Sequence, residues 1–257
     1  MRRLDAQNLM TLSDYRLRFD ETLSGHFEAQ ELSSIFFLGI HHFLNIERYQ
    51  LNEKKEVLLT KDQQQELFSL IERLEKAEPI QYILGETAFY GLTFNVDKNV
   101  LIPRPETEEL VDLVIQESKH ENQGLEKLKI LDIGTGSGCI AISLAKNLPK
   151  VEVLAIDVSS IALKVAQENA NTNKVDNVEF IEKDILLTNN SFFKSKDSLD
   201  VIVSNPPYVR QSEKVKMKPN VVNNEPHLAL FVEDEDALQF YSSQSFQSSA
   251  AFAYIFK

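Results

Sequence analysis

The chain has 257 residues, enough for one large domain or two modest ones with ample core. Apolar residues make up 43% and charged residues 26%, an ordinary globular balance, and a formal net charge of -12 argues against broad binding to a phosphate backbone, which needs a positive field. The single cysteine, Cys139, excludes an internal disulfide framework and a multi-cysteine zinc site, and it suggests a reducing compartment.

No apolar run approaches the length of a membrane span, and Met1-Arg2-Arg3 is not followed by an apolar signal core. The expectation is a cytoplasmic protein that meets no membrane. Residues from about 10 to 78 carry no strand-like alternation and read as a small helical bundle. Leu32, Ile35, Phe36, Leu38, Gly39, Ile40 and Phe43 give one strongly apolar helix. Thr60 with Gln63 matches a capping box and opens a helix whose stripe is Leu67, Leu70, Ile71 and Leu74; Pro79 bounds it. His41 and His42 are adjacent and point to different faces, so packing or a surface position is expected for them and no metal site.

Residues 79–105 change character. Thr87 to Tyr90, Gly91, and Leu92 to Val96 read as two short strands joined by a turn. In Leu101-Ile102-Pro103-Arg104-Pro105-Glu106-Thr107-Glu108, two prolines bracket an arginine and hold it on a stiff extended segment. Arg104 forms either a surface salt bridge with Glu106 or Glu108, or a positioning contact near a cleft. A helix from about Thr107 to Ser118 follows. The expected division is a helical domain over 1–78, a linker with a β-hairpin over 79–105, and a second domain over 106–257 that is altered after about 241.

From Lys129 the elements alternate. Ile130–Ile133, Val151–Asp157, Val178–Ile181 and Leu199–Val203 read as strands, with helices from Cys139 to Lys146 and after Ser159. Such alternation implies a parallel sheet. Gly134-Thr135-Gly136-Ser137-Gly138 forms the first strand-to-helix turn, where glycines let the backbone approach a ligand closely. Asp157, ending the second strand, can accept ribose hydroxyls. Asp132, before the turn, can meet a cationic ligand end. The third glycine comes one residue earlier than the dinucleotide fingerprint requires, which disfavours a nicotinamide dehydrogenase.

The fourth strand runs into Asn205-Pro206-Pro207-Tyr208. Two prolines fix two φ angles and remove two N–H donors, leaving a stiff corner rich in free carbonyls. An asparagine at its mouth and an aromatic ring beyond it suit a planar NH2 group. In a parallel sheet of this order the first and fourth strands lie side by side, so this corner and the glycine turn should face each other across the crevice where the winding reverses. A glycine turn with an acid before it suits S-adenosylmethionine, which carries an ammonium and a sulfonium. The corner strengthens that choice of cofactor.

At these residues the chain resembles the HemK/PrmC family, the N5-glutamine methyltransferases of peptide chain release factors. The match runs from Pro79-Ile80-Gln81-Tyr82 through Ile102–Glu108, the glycine turn and Asn205–Tyr208 into Asn224-Glu225-Pro226-His227-Leu228-Ala229-Leu230. The resemblance implies an α/β fold: a Rossmann-like S-adenosylmethionine-dependent methyltransferase sheet after a helical substrate-recognition domain and a hairpin linker. It implies that Gly134, Thr135, Gly136, Ser137 and Gly138 hold the methionine part of the donor, Asp157 the ribose, and Asp184 and Ile185 the adenine. Asn205, Pro206, Pro207 and Tyr208 would hold the substrate glutamine. Asn205, Pro206 and Tyr208 would act in catalysis, with Asn205 also near the donor and Arg104 on the substrate side. The implied partner is a release factor, with no nucleic acid, and the chain is expected to be a monomer.

Two alternatives remain open. The same corner serves amino methyltransferases of nucleic-acid bases, which the acidic balance opposes. A donor-binding protein impaired in catalysis is the other, because the family's sheet needs three more strands. After the helix that Asp236–Tyr241 begins, the chain gives Ser242–Ser249, and only Ala251 to Phe256 could form a further strand. That tail reads as truncated or frame-shifted. A sheet stopping at its fourth strand would expose an apolar edge and face, and would be poorly stable.

Overall fold

The computed structural model describes residues 10–121, 128–148, 150–187, 199–236 and 250–255. The chain divides into two compact units, Met1–Leu84 and Gly85–Lys257.

In the first unit, reciprocal caps start two helices. The Thr11 hydroxyl accepts from the Asp14 N–H at 3.1 Å, and the Asp14 carboxylate accepts from the Thr11 N–H at 2.9 Å, opening α1 (Leu12–Leu23). The expected Thr60/Gln63 box, after α2 (Ala29–Leu44) and α3 (Leu51–Lys54), opens α4 (Lys61–Glu75) in the same way. Pro79 does not end α4; it precedes a further short helix, α5 (Ile80–Leu84). Leu32, Ile35, Phe36 and Ile40 of α2 meet Tyr15 and Phe19 of α1 and Leu67, Leu70 and Leu74 of α4 in one core. Tyr15 is fully buried and its hydroxyl donates to the Leu67 carbonyl at 3.0 Å, so its polar tip is not stranded. His41 lies 3.2 Å from the Glu47 carboxylate on the surface, and the His42 ring meets Phe43 edge-on.

The second unit begins with a hairpin of β1 (Glu86–Phe89) and β2 (Leu92–Asn95). Tyr90 and Gly91 form its two-residue turn with φ of 49° and 72°, the type I′ pattern that follows strand twist. Tyr90 is thus a turn residue and not the end of a strand. Its left-handed backbone is held from α6 (Glu106–Glu121): its N–H donates to the Glu108 carboxylate at 2.7 Å and its hydroxyl to Asp112 at 2.5 Å.

The sheet follows with β3 (Leu128–Ile133), α7 (Cys139–Asn147), β4 (Val151–Asp157), α8 (Ser160–Thr172), β5 (Val178–Glu182) and β6 (Leu199–Ser204). Beyond the corner come β7 (Val209–Arg210), a 3₁₀ turn (Gln211–Lys216), α9 (Pro219–Asn224), α10 (His227–Leu230), β8 (Phe231–Val232) and β9 (Ala250–Ile255). The strand order is β5-β4-β3-β6-β9, with every neighbour parallel; β7 and β8 pair separately. The strands β3, β4 and β6 are buried on both faces, as the centre of a parallel sheet requires. Ile130, Val153, Val201 and Val203 join Leu110 and Val114 of α6 and Ile140 and Leu144 of α7. Leu131, Ile133, Leu154, Ile156 and Ile202 form the opposite cluster with Ile185.

The sheet does not stop at its fourth strand. β9 pairs along β6 from Leu199↔Ala250 to Ser204↔Ile255, so β6 is an interior strand and the expected exposed edge there is absent. This strand falls, within one residue at each end, on the stretch Ala251 to Phe256 that could form a further one. The helix expected over Asp236–Tyr241 and the serine-rich stretch that follows lie outside the described residues beyond Asp236, which closes a 3₁₀ turn.

Candidate active site

The reversal of winding falls between β3 and β6, and their carboxyl ends are tied together: the Ser204 hydroxyl donates to the Ile133 carbonyl at 2.8 Å. The glycine turn leaves β3 here. Gly138 begins α7 with φ of 81°, and a Cβ on it would stand 2.8 Å from Ile142 Cδ1 and 3.1 Å from Ala166 Cβ. No side chain fits there without a shift. Gly134 differs: a Cβ on it would meet nothing within 4 Å, because it borders open space.

Two carboxylates shape the turn. Asp132 is fully buried beneath it and accepts from the Thr135 hydroxyl at 2.6 Å. Its other oxygen, Oδ1, has no hydrogen-bond partner among the described residues. Burial pushes this carboxyl up to about 7 against the opposing bonds from Thr135 and Ala141, and the nearby Asp157 charge adds to the rise. Asp157 accepts from the Gly136 N–H and the Ser159 N–H, each at 2.9 Å. Burial raises its pKa, while the N–H groups of Ser159, Gly136 and Val158 oppose the rise. Each Asp157 oxygen keeps a lone pair for a further donor.

Asn169, fully buried on α8, locks the turn from behind. Its NH2 donates to the Ser137 carbonyl at 2.9 Å and the Asn95 carbonyl at 3.0 Å, and its oxygen accepts from the Asn95 N–H at 2.7 Å. Cys139 keeps a neutral thiol, its pKa raised by burial. It offers no nucleophile.

Across the reversal, Asn205 donates from Nδ2 to the Thr107 hydroxyl at 3.2 Å, Pro206 is buried, and Tyr208 is 49% exposed. A cavity of about 360 Å³ lies between this corner and the turn. Of the sequence-predicted residues, Gly134, Gly136, Asp157, Asp184, Ile185, Asn205, Pro206 and Pro207 line it. Thr135, Ser137 and Gly138 stand behind that wall as supports of the turn. Tyr208 and Arg104 are not part of the lining. Asp132 is not part of the lining either; it lies buried under the turn, bound to Thr135 through one oxygen.

Arg104 pairs with neither Glu106 nor Glu108. Its Nη2 meets Glu225 Oε1 at 2.5 Å, and the other Glu225 oxygen accepts from the Ile102 N–H at 3.3 Å. Glu225 is buried, with its side chain 1% exposed, while Arg104 stays 35% exposed, so only the carboxylate end of the pair is shielded from water, and its geometry is held by the second bond. It joins the segment carrying Leu101 to the one carrying Pro226, Leu228 and Ala229, all of which line the cavity. Sequence reasoning gave these wall residues no role. The available signal was Glu225-Pro226 itself, an acid directly before a proline in a stretch already noted for its resemblance.

The cavity offers what S-adenosylmethionine requires. A glycine-bordered backbone cradle, a carboxylate with spare lone pairs at the end of β4, and an apolar slot of Leu101, Ile156 and Ile185 are groups of the kind that suit a methionine part, a diol and a base. A parallel sheet with its cavity at the reversal defines a Rossmann-like enzyme, and this donor set narrows it to the S-adenosylmethionine-dependent methyltransferases. Residues 112–228 match the methyltransferase small domain family and residues 16–85 the PrmC N-terminal domain family. A release factor glutamine methyltransferase of Flavobacterium psychrophilum is 50% identical over 232 residues, covering 90% of this chain and 79% of that protein. One from Bacteroides thetaiotaomicron is 43% identical over 221 residues, covering 86% and 76%. One from Streptococcus pneumoniae is 39% identical over 232 residues, covering 90% and 78%. The chain belongs to the release factor glutamine methyltransferase family.

Proposed function

We propose that this chain transfers a methyl group from S-adenosylmethionine to the side-chain amide nitrogen of the glutamine in the Gly-Gly-Gln loop of a peptide chain release factor. It would do so in the cytoplasm, as a monomer and without contacting nucleic acid. Residues 1–78 would recognise the substrate, 79–105 would link, and 106–257 would carry the chemistry. The names of the relatives support the acceptor. The observation that carries the reading is that Asn205 and Pro206 share one cavity with Gly134, Gly136 and Asp157.

An amide nitrogen is a weak nucleophile because its lone pair is delocalised into the carbonyl. The bound donor supplies a methyl carbon made electrophilic by a sulfonium. The residues therefore have to place and orient. Gly134–Gly138 hold the methionine part, Asp157 the ribose, and Asp184 and Ile185 the adenine. Asn205 Oδ1 and the Pro206 carbonyl accept the two N–H groups of the glutamine amide, turning nitrogen density toward the methyl. Pro207 and Tyr208 flank the flat amide at the cavity mouth, and Arg104 holds that wall through Glu225. Positioning of this kind supplies about 7–11 kcal/mol, and carbonyl dipoles that meet positive charge as it develops on nitrogen add to it. The product ammonium-like amide is very acidic and loses its proton to water, so no base is required.

The test is incubation with labelled donor and either a purified release factor or DNA and transfer RNA, followed by mass spectrometry of the labelled species. Label confined to the Gly-Gly-Gln glutamine is expected. Label on nucleic acid, or an unlabelled release factor, would refute the assignment.

A further inference from the structure

We propose that the β1–β2 hairpin is a working part of the donor site, and that Asn169 is the positioning residue that couples it to the glycine turn. The proposal rests on Gly134–Gly138 holding the donor. None of residues 86–95 lines the cavity, so the hairpin acts through what it touches.

One buried carboxamide joins three segments. Asn169 gives its two N–H groups to the carbonyls of Ser137 and Asn95, at 2.9 and 3.0 Å, and its oxygen takes the Asn95 N–H at 2.7 Å. All three partners are backbone groups, whose donor and acceptor roles are fixed, so only one orientation of the amide satisfies them. Asn95 is gripped through both its N–H and its C=O, a two-bond clasp that sets the end of β2 in distance and in angle. The other amide hydrogen carries that placement to Ser137, 2% exposed inside the turn. One turn earlier on the same face of α8, Ala166 closes on Gly138, where an added Cβ would stand 3.1 Å from Ala166 Cβ. Thus α8 holds the glycine turn at two successive residues, by packing at Gly138 and by a hydrogen bond at Ser137. The hairpin is held to the end of α8 again at Thr93, whose carbonyl accepts from Asn173 at 2.8 Å, and its tip is held by α6 through Tyr90 and Glu108. A hairpin fastened at both ends is a fixed reference, and Asn169 transfers its position to the backbone that borders the cavity.

Such coupling is reciprocal: if the hairpin's position sets donor affinity, bound donor must steady the hairpin. In the wild-type chain, saturating S-adenosylmethionine should slow amide hydrogen exchange in the peptide spanning 92–96 by about fivefold or more, the lower end of typical coupling. Asn169→Asp keeps the size of the side chain and the acceptor for the Asn95 N–H, but sets a second oxygen against two carbonyls. Burial and those carbonyls raise the pKa of the new carboxyl, and its protonated form can again donate to one of them. The calorimetric donor Kd of Asn169→Asp should be about tenfold weaker than wild type at about pH 8, the scale of a buried group left unpaired, and within about threefold at about pH 6. Asp132, Asp157 and Cys139 at the turn, Glu86 opposite Asn95 and Glu168 on α8 are present in both proteins and cancel in the ratio. A side chain that only fills space would give one ratio at both pH values. Both proteins are compared well below their unfolding temperatures, so that the Kd is that of the folded chain. A wild type that binds no donor would sink the donor reading and the proposal with it. Donor binding with a Kd ratio independent of pH, or hairpin exchange indifferent to donor, would leave that reading standing and overturn the coupling through Asn169.

Discussion

Asp132 is the residue whose burial sets the clearest solution signature. An acid before a glycine turn invites a ligand-binding role, and here the side chain is buried and binds Thr135 through one oxygen. Its chemistry gives a pH signature. The carboxyl ionises near 4 in an unfolded chain, as a free aspartate does, and at about 7 in the folded one. Between those values the folded protein binds more protons than the unfolded, so this group's contribution to stability falls as pH rises through that window and is lost above it. Asp132→Asn should therefore be stabilised relative to wild type at about pH 8 and much less so at about pH 5, read from urea midpoints. Parallel pH profiles for the two proteins would contradict this. Thr107, Asn169 and Glu225 were hidden in the sequence. Their partners lie 98, 74 and 121 positions away, a separation that no local pattern encodes.

Elements were easier to read than residues, because the period of a helix or strand is written locally. The capping box at Thr60, the strand Val151–Asp157 and the start of α7 at Cys139 all stand where periodicity and turn chemistry put them. What escaped were the pieces shorter than a period, such as the β7–β8 pair, whose two-residue strands show no alternation. Gly138 tests how tightly α7 is joined to the turn. With φ of 81° and a would-be Cβ 2.8 Å from Ile142, Gly138→Ala adds both backbone strain and overlap. It should cost about 2–4 kcal/mol in urea unfolding and weaken donor binding. A neutral substitution would mean that the turn is looser than described.

At the scale of the molecule, the chain divides between Leu84 and Gly85, inside the 79–105 stretch where the sequence pattern changes. The strand at the sheet's far edge falls on the stretch, Ala251 to Phe256, that could form one, although no glycine turn announces it. Ending the chain after Asp236 would strip β6 of its parallel partner and leave the strand that carries Asn205 with an open edge. Such a chain should unfold at lower temperature and aggregate on heating; an unchanged transition would show that β9 contributes little.

Asn205 bears most directly on the account, because it directly follows β6, lines the cavity and faces the glycine turn. The decisive measurement is methyl transfer to a release factor by Asn205→Ala beside calorimetric donor binding by the same protein. The expected result is a fall in kcat of at least about 100-fold, the scale on which misplaced reacting groups cost rate, with donor Kd changed by only a few-fold. Wild-type turnover, or loss of donor binding in step with activity, would contradict it.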